Sequence, residues 1–223
     1  MAYRRIAQLR TAAQFREYTQ QIGAELPFDE RIDIGNDAPL ARPYTYQTRT
    51  FDNRFCVLPM EGWDGTPDGH PTDLTRRRWE RFGLSGAQLI WGGEAVAVRH
   101  DGRANHRQLI INEKTLSGIA GLRTRLIEAH KGRHGSDNLF VGLQLTHSGR
   151  FCRPNSTVIE PRIAYRHPLL DKKFGIEDDS PVFSDDELDR LIETMRRRRC
   201  GHKKPVSTLW ISSIVTAIWD MNS

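Results

Sequence analysis

Three short apolar runs, two of them closed by proline or glycine and all separated by helical patterns, constrain this chain more than any other feature. Phe55 to Leu58 is stopped by Pro59, Leu89 to Trp91 ends in Gly92 and Gly93, and Leu139 to Leu145 is apolar apart from Gly142 and Gln144. Runs of this length without alternation read as strands buried on both faces. After the first, Thr72 or Asp73 can accept a bond from a free backbone N–H and open a helix. Leu74, Trp79 and Phe82 give that helix an apolar stripe, and Gly83 supplies a left-handed stop. After the second, a long polar loop from Arg99 to about Asn112 leads into a helix carrying Leu116, Ile119, Leu126 and Ile127, ended by Gly132 with Gly135. The order strand, helix, strand, helix, strand demands a parallel sheet covered by helices, either doubly wound or a (β/α)8 barrel. Periodicity does not choose between them. In both, chemistry gathers at the C-terminal ends of the strands, which here carry Pro59-Met60-Glu61, Gly92-Gly93-Glu94 and Gln144 to His147.

Further on, Ser184 to Glu187 forms a capping box, followed by Leu188, Leu191, Ile192 and Met195 at helical spacing. An amphipathic helix near Ala12 to Ile22, then Pro27, Pro39 and Pro43, marks residues 1–50 as an N-terminal extension.

The formal net charge of +5 raises a nucleic-acid partner as a possibility, and its location removes it. Arg196 to Arg199, Lys203 and Lys204 set against Asp220 account for the whole excess, so the chain before Arg196 is neutral. Without net positive charge in the body, Trp63, Trp79 and Trp91 read as packing residues rather than platforms for bases. No stretch reaches the roughly 18 apolar residues of a membrane span, and the start of the chain is not a signal peptide. The expectation is a cytoplasmic protein with a small-molecule substrate and neither nucleic-acid nor membrane partners. Cys56, Cys152 and Cys200 are widely spaced and lack the pattern of a zinc site, so no metal is expected.

Four segments together carry a family resemblance: Asn53 to Met60, Gly69 to Asp73, Ile90 to Val96 and Leu143 to Arg150. In order and spacing, from about Thr50 to Met195, they resemble the old yellow enzyme, or NADH:flavin oxidoreductase, family. The resemblance implies an FMN-binding (β/α)8 TIM barrel, with NAD(P)H as reductant, that passes hydride from the flavin to an activated alkene. On that basis Pro59 and Met60 match the segment lying against the flavin, and Gly93 matches a small residue beside it. Gln144 matches the amide that bonds the flavin pyrimidine. His147 and Arg150 match the element after the third strand, on the substrate side. Glu61 stands where the family commonly has Thr or Cys close to the ring, and a carboxylate there opposes an anionic reduced flavin unless protonated or turned away. Gly92 replaces a frequent Glu, leaving Glu94 as a shifted substitute.

A TIM barrel takes about 250 residues, so only its N-terminal part is expected, over residues 51–195. The proton-donating Tyr of the family's HGYL motif falls in the missing part. Read from the third base of its codons, the segment 206–223 can give a fourth strand followed by HGYL. Three positions fixed by single codons agree: Trp210-Ile211 forces Asp, Trp219-Asp220 forces Gly and Met221-Asn222 forces Glu. Residues 196–223 are therefore expected to be an out-of-frame tail, and a sheet ending at the third strand would leave an open edge. The alternative function is an inactive fragment without flavin binding.

Overall fold

The structure is a computed structural model that describes residues 3–200 and 209–212, with side chains through Arg198. It divides into two units, Met1–Arg42 and Pro43–Ser223.

The first unit holds α1 (Ala12–Gln21), capped by Thr11, whose hydroxyl accepts from Gln14 N at 3.2 Å. Phe15 meets Phe28 edge to face at 4.8 Å, which ties the helix to the segment that follows it.

The second unit begins with an antiparallel hairpin, β1 (Tyr44–Tyr46) and β2 (Arg49–Phe51). The parallel sheet then builds from β3 (Cys56–Val57), α2 (Asp73–Leu84), β4 (Leu89–Ile90), β5 (Ala95–Ala97), α3 (Leu116–His134) and β6 (Phe140–Thr146). Two more helices follow, the short α4 (Pro168–Phe174) and the longer α5 (Asp185–Cys200), before β7 (Leu209–Ser212). The sheet order is β3-β4-β6-β5, all parallel, with β7 also on β6.

Two expectations about the sheet change. First, β4 and β5 are two pieces of one strand on the same side of β6. Ile90 pairs Val141 and Ala95 pairs Gln144, so five steps on one strand face three on the other, a bulge of two extra residues. Second, the far edge of β6 is not open: Val141 to Gln144 pair in parallel with Leu209 to Ser212. The rest of the expected tail, 201–208 and 213–223, lies outside the described residues. Its arginine run begins within α5, which continues past Met195 to Cys200.

Alternation along β6 sends Val141, Leu143 and Leu145 to one face, where they join Ile90, Val96, Trp79, Ile119, Leu122 and Leu126 in the core under α2 and α3. Gly83 is not the helix stop. It lies inside α2, where a Cβ would come within 2.2 Å of Leu126 O, so its missing side chain lets the two helices touch. The left-handed residue is Gly86, at φ +84°. Likewise Gly132 is within α3, and Gly135 alone caps it. Thr72 is the N-cap of α2, and Leu74 is exposed rather than part of the stripe. The capping box of α5 forms as expected, with Glu187 N donating to Ser184 Oγ and Ser184 N to Glu187 Oε2. The polar segment 99–112 is largely buried and ordered by side-chain bonds to backbone. Arg103 donates to Pro67 O and Gln108 O, both at 2.6 Å, and Gln108 Nε2 donates to Ala95 O at 3.0 Å.

Candidate functional site

Where the strands end, the chain is free of ladder bonds and can turn side chains inward. A cavity of about 380 Å³ opens there, lined by Pro59, Met60, Glu61, Trp63, Ala95, Gln144, Thr146, His147 and Ser148. The register places these groups together: Ala95 pairs Gln144, Ala97 pairs Thr146, and Ala95 N donates to Met60 O at 3.0 Å. Five of the seven residues singled out from the sequence, Pro59, Met60, Glu61, Gln144 and His147, thus border one space.

Gly93 and Arg150 stand elsewhere. A Cβ on Gly93 would lie 2.6 Å from Trp79, on the helix side of the sheet, and the small residue that borders the cavity is Ala95. The bulge is the cause, because two inserted residues shift which position faces inward. Arg150, buried in the turn Gly149–Phe151, pairs with Asp171 and donates from Nη2 to Tyr165 O at 2.6 Å. Asp171 also receives Arg166 Nε at 2.6 Å and His167 N at 2.9 Å. In this arrangement Arg150 anchors the segment leading into α4.

The sequence reading missed Trp63, Ala95, Thr146, Ser148 and, behind them, Gln108. Gln108 Nε2 also donates to Thr146 Oγ1 at 3.2 Å, and that hydroxyl donates to Val96 O. The Glu-Ala-Val order after the glycines could have pointed to Ala95, whereas nothing in the composition of the polar loop distinguishes Gln108.

Two titratable groups face the cavity. Burial pushes the Glu61 carboxyl up, against a weak bond from Ser148 Oγ at 3.5 Å, and so toward its protonated form. Burial pushes the His147 imidazole down to about 4, so the ring is neutral at pH 7. Its Nδ1 accepts from Gly149 N at 3.3 Å, which leaves the proton on Nε2. Nε2 is buried and has no partner among the described residues. Among the described residues, no Lys or Arg lines this cavity. A larger cavity of about 570 Å³, between Asp101, Asn155 to Arg162 and 174–181, contains none of the residues singled out from the sequence.

No family model and no curated protein matches the chain. Solved structures do. The fold is similar to that of 2-naphthoyl-CoA reductase in complex with 2-naphthoyl-CoA, with a TM-score of 0.59 and 14% identity over 81% of this chain and 28% of that one. It is also similar to an old yellow enzyme homologue from Zymomonas mobilis, with a TM-score of 0.52 and 18% identity over 72% of this chain and 44% of that one. The parallel curled sheet is thus of the TIM-barrel kind found in old yellow enzymes, and the chain spans less than half the length of either protein. Among the described residues, no helix is long and apolar enough to cross a membrane, and no group of three His, Cys, Asp or Glu side chains is arranged to hold a metal ion.

Proposed function

We propose that the cavity receives the ring of FMN and that the chain is part of an NAD(P)H-dependent oxidoreductase of old yellow enzyme type, acting on an activated alkene. The observation that carries this reading is the convergence of Pro59, Met60, Glu61, Gln144 and His147, which come from segments more than eighty residues apart in the chain, on one space at the strand ends. The lining fits a flat, partly polar heterocycle. Pro59, Met60, Trp63 and Ala95 offer apolar walls, and Gln144 supplies an amide that both donates and accepts along one edge. A bound flavin would supply hydride transfer.

This chain's own residues do the rest of the work in the reading. Gln144 orients the ring through its pyrimidine edge. Glu61, when protonated, adds no negative charge beside a ring that becomes anionic on reduction. His147, neutral and fully buried against Phe183, closes the wall of the cavity beside Ser148. FMN, NAD(P)H and the roles of individual residues enter through the likeness of the fold and the sequence resemblance together; what supports those roles is that the residues border one cavity.

The experiment is an anaerobic titration. Purified chain is mixed with FMN, checked for a stoichiometric yellow complex, and then titrated with NADH and with NADPH. Bleaching of the flavin absorbance by either nucleotide supports the reading. Absence of any flavin binding at millimolar FMN sinks it and leaves the inactive-fragment alternative.

A further inference from the structure

We infer that Glu94 is a positioning residue, whose carboxylate grips the Met60–Gly62 wall of the cavity and thereby sets where Glu61 stands. Its functional consequence rests on the flavin reading above; its structural part does not.

The bulge turns Glu94 away from the cavity and into the helix side, where it is fully buried. Oε1 accepts from Gly62 N at 2.6 Å, and Oε2 accepts from Arg78 Nη2 at 2.8 Å and Trp79 Nε1 at 3.4 Å. All three neighbours are donors. An ionised carboxylate satisfies each of them, whereas a protonated one would aim its own O–H at a donor. Burial pushes the Glu94 pKa up, and the Arg78 guanidinium is the charge that opposes it.

One residue on, Ala95 N holds Met60 O, so two successive residues of the bulged strand grip the positions on either side of Glu61. Arg78 extends the grip, reaching Asp64 Oδ1 at 2.9 Å beyond Trp63. Apolar packing gives this wall little help, since Leu58, Met60 and Trp63 are 66%, 75% and 56% exposed. Its position depends on the polar grip instead. The fit is close: a Cβ on Gly62 would lie 2.1 Å from Arg78 Nη2 and 2.7 Å from Glu94 Oε1.

The test uses the 223-residue chain and the variants Glu94→Ala, Glu94→Gln and Gly62→Ala. NMR reads the Gly62 amide proton and the titration of the Glu61 carboxyl, and riboflavin reads the ring site. In the parent chain the Gly62 proton should resonate far downfield, as a short bond to a carboxylate requires. Glu94→Ala should abolish that signature, move the Glu61 midpoint down toward that of an exposed glutamate, and weaken riboflavin at least tenfold. Glu94→Gln keeps an acceptor for Gly62 and should recover part of all three. Gly62→Ala disturbs the same contact from the other partner and should reproduce the Glu94→Ala shift at Glu61. A Gly62 amide and Glu61 titration unmoved in Glu94→Ala overturn the inference, and if that variant does not fold, an unmoved Glu61 in Gly62→Ala does the same. An intact grip signature in a chain that binds no riboflavin overturns the flavin reading alone.

Discussion

Replacing Gln144 by alanine tests the cavity at its centre. The backbone of Gln144 is held by its own bond to Glu94 O at 3.0 Å and by ladder pairing with Ala95 on one side and Ser212 on the other. Removing the side chain therefore leaves β6 in register and takes the amide out of the cavity. If the amide makes one donated and one accepted bond to the flavin edge, each is worth about 0.5–1.5 kcal/mol net, so the loss is about 1–3 kcal/mol. At 1.4 kcal/mol per tenfold change, the dissociation constant rises by roughly 5- to 150-fold. Quenching of flavin fluorescence measures this, using FMN and riboflavin in parallel, with a thermal melt of each variant to establish that it folds. The two flavins should bind this cavity with similar affinity, because among the described residues no Lys or Arg lines it to hold the phosphate. A folded Gln144→Ala chain with affinity within twofold of the parent would refute the placement of the flavin edge on this amide. A large preference for FMN would show that a cation outside this lining reaches the phosphate.

Other outcomes follow from groups around the site. Because burial holds His147 neutral to about pH 4 while the unfolded chain takes up its proton near pH 6.5, the folded state loses stability as pH falls through that window. Urea denaturation from pH 7 to pH 4 should show a slope of up to about 1.4 kcal/mol per pH unit from this group, and His147→Gln should flatten it; an unchanged slope contradicts the assignment. Arg150→Met leaves the Asp171 carboxylate with Arg166 as its remaining cation, and should lower the urea midpoint in the same assay; an unchanged midpoint contradicts the anchoring role. Cys152 is fully buried and its thiol is pushed up to about 12 by burial, so iodoacetamide should label the exposed Cys56 in the folded chain and spare Cys152. Labelling of both at equal rates, read by mass spectrometry, would show that the 149–163 region opens. Gly83→Ala forces a Cβ toward Leu126 O and should destabilise the α2–α3 contact by about 1–3 kcal/mol without altering flavin affinity.

What the sequence made legible follows from what burial does to local pattern. β6, α2 and α3 could be read because a strand covered on both faces must be apolar throughout and a helix covered on one face must repeat near 3.6; β3 forms where its apolar run lies but is not buried on both faces, since Cys56 is exposed and Val57 half-buried. The bulge between Ile90 and Ala95 leaves no such mark. Trp91 to Glu94 contain two glycines and a carboxylate, which read equally well as a strand end, yet here the strand resumes at Ala95. That single difference moves the small residue at the cavity from Gly93 to Ala95 and sends Glu94 to the helix side. The polar segment 99–112 was illegible for a related reason. Gln108 and Arg103 are buried because their donors meet backbone carbonyls, and such pairing depends on partners far away in the chain rather than on neighbouring residue types. Gly83 shows the same limit in a helix, since a glycine that ends a helix and one that admits a neighbouring helix look alike until the neighbour is in place. At β7 the backbone bonds of a parallel ladder are blind to side-chain alternation, so Leu209 to Ser212 can pair with β6 although its local pattern announces neither strand nor helix. These cases meet at one place: the bulge, the Gln108 tie and the Glu94 grip are the contacts that shape the cavity, and all three are set by tertiary pairing. The residues lining the site were accordingly easier to read from the sequence than the residues that hold it in shape.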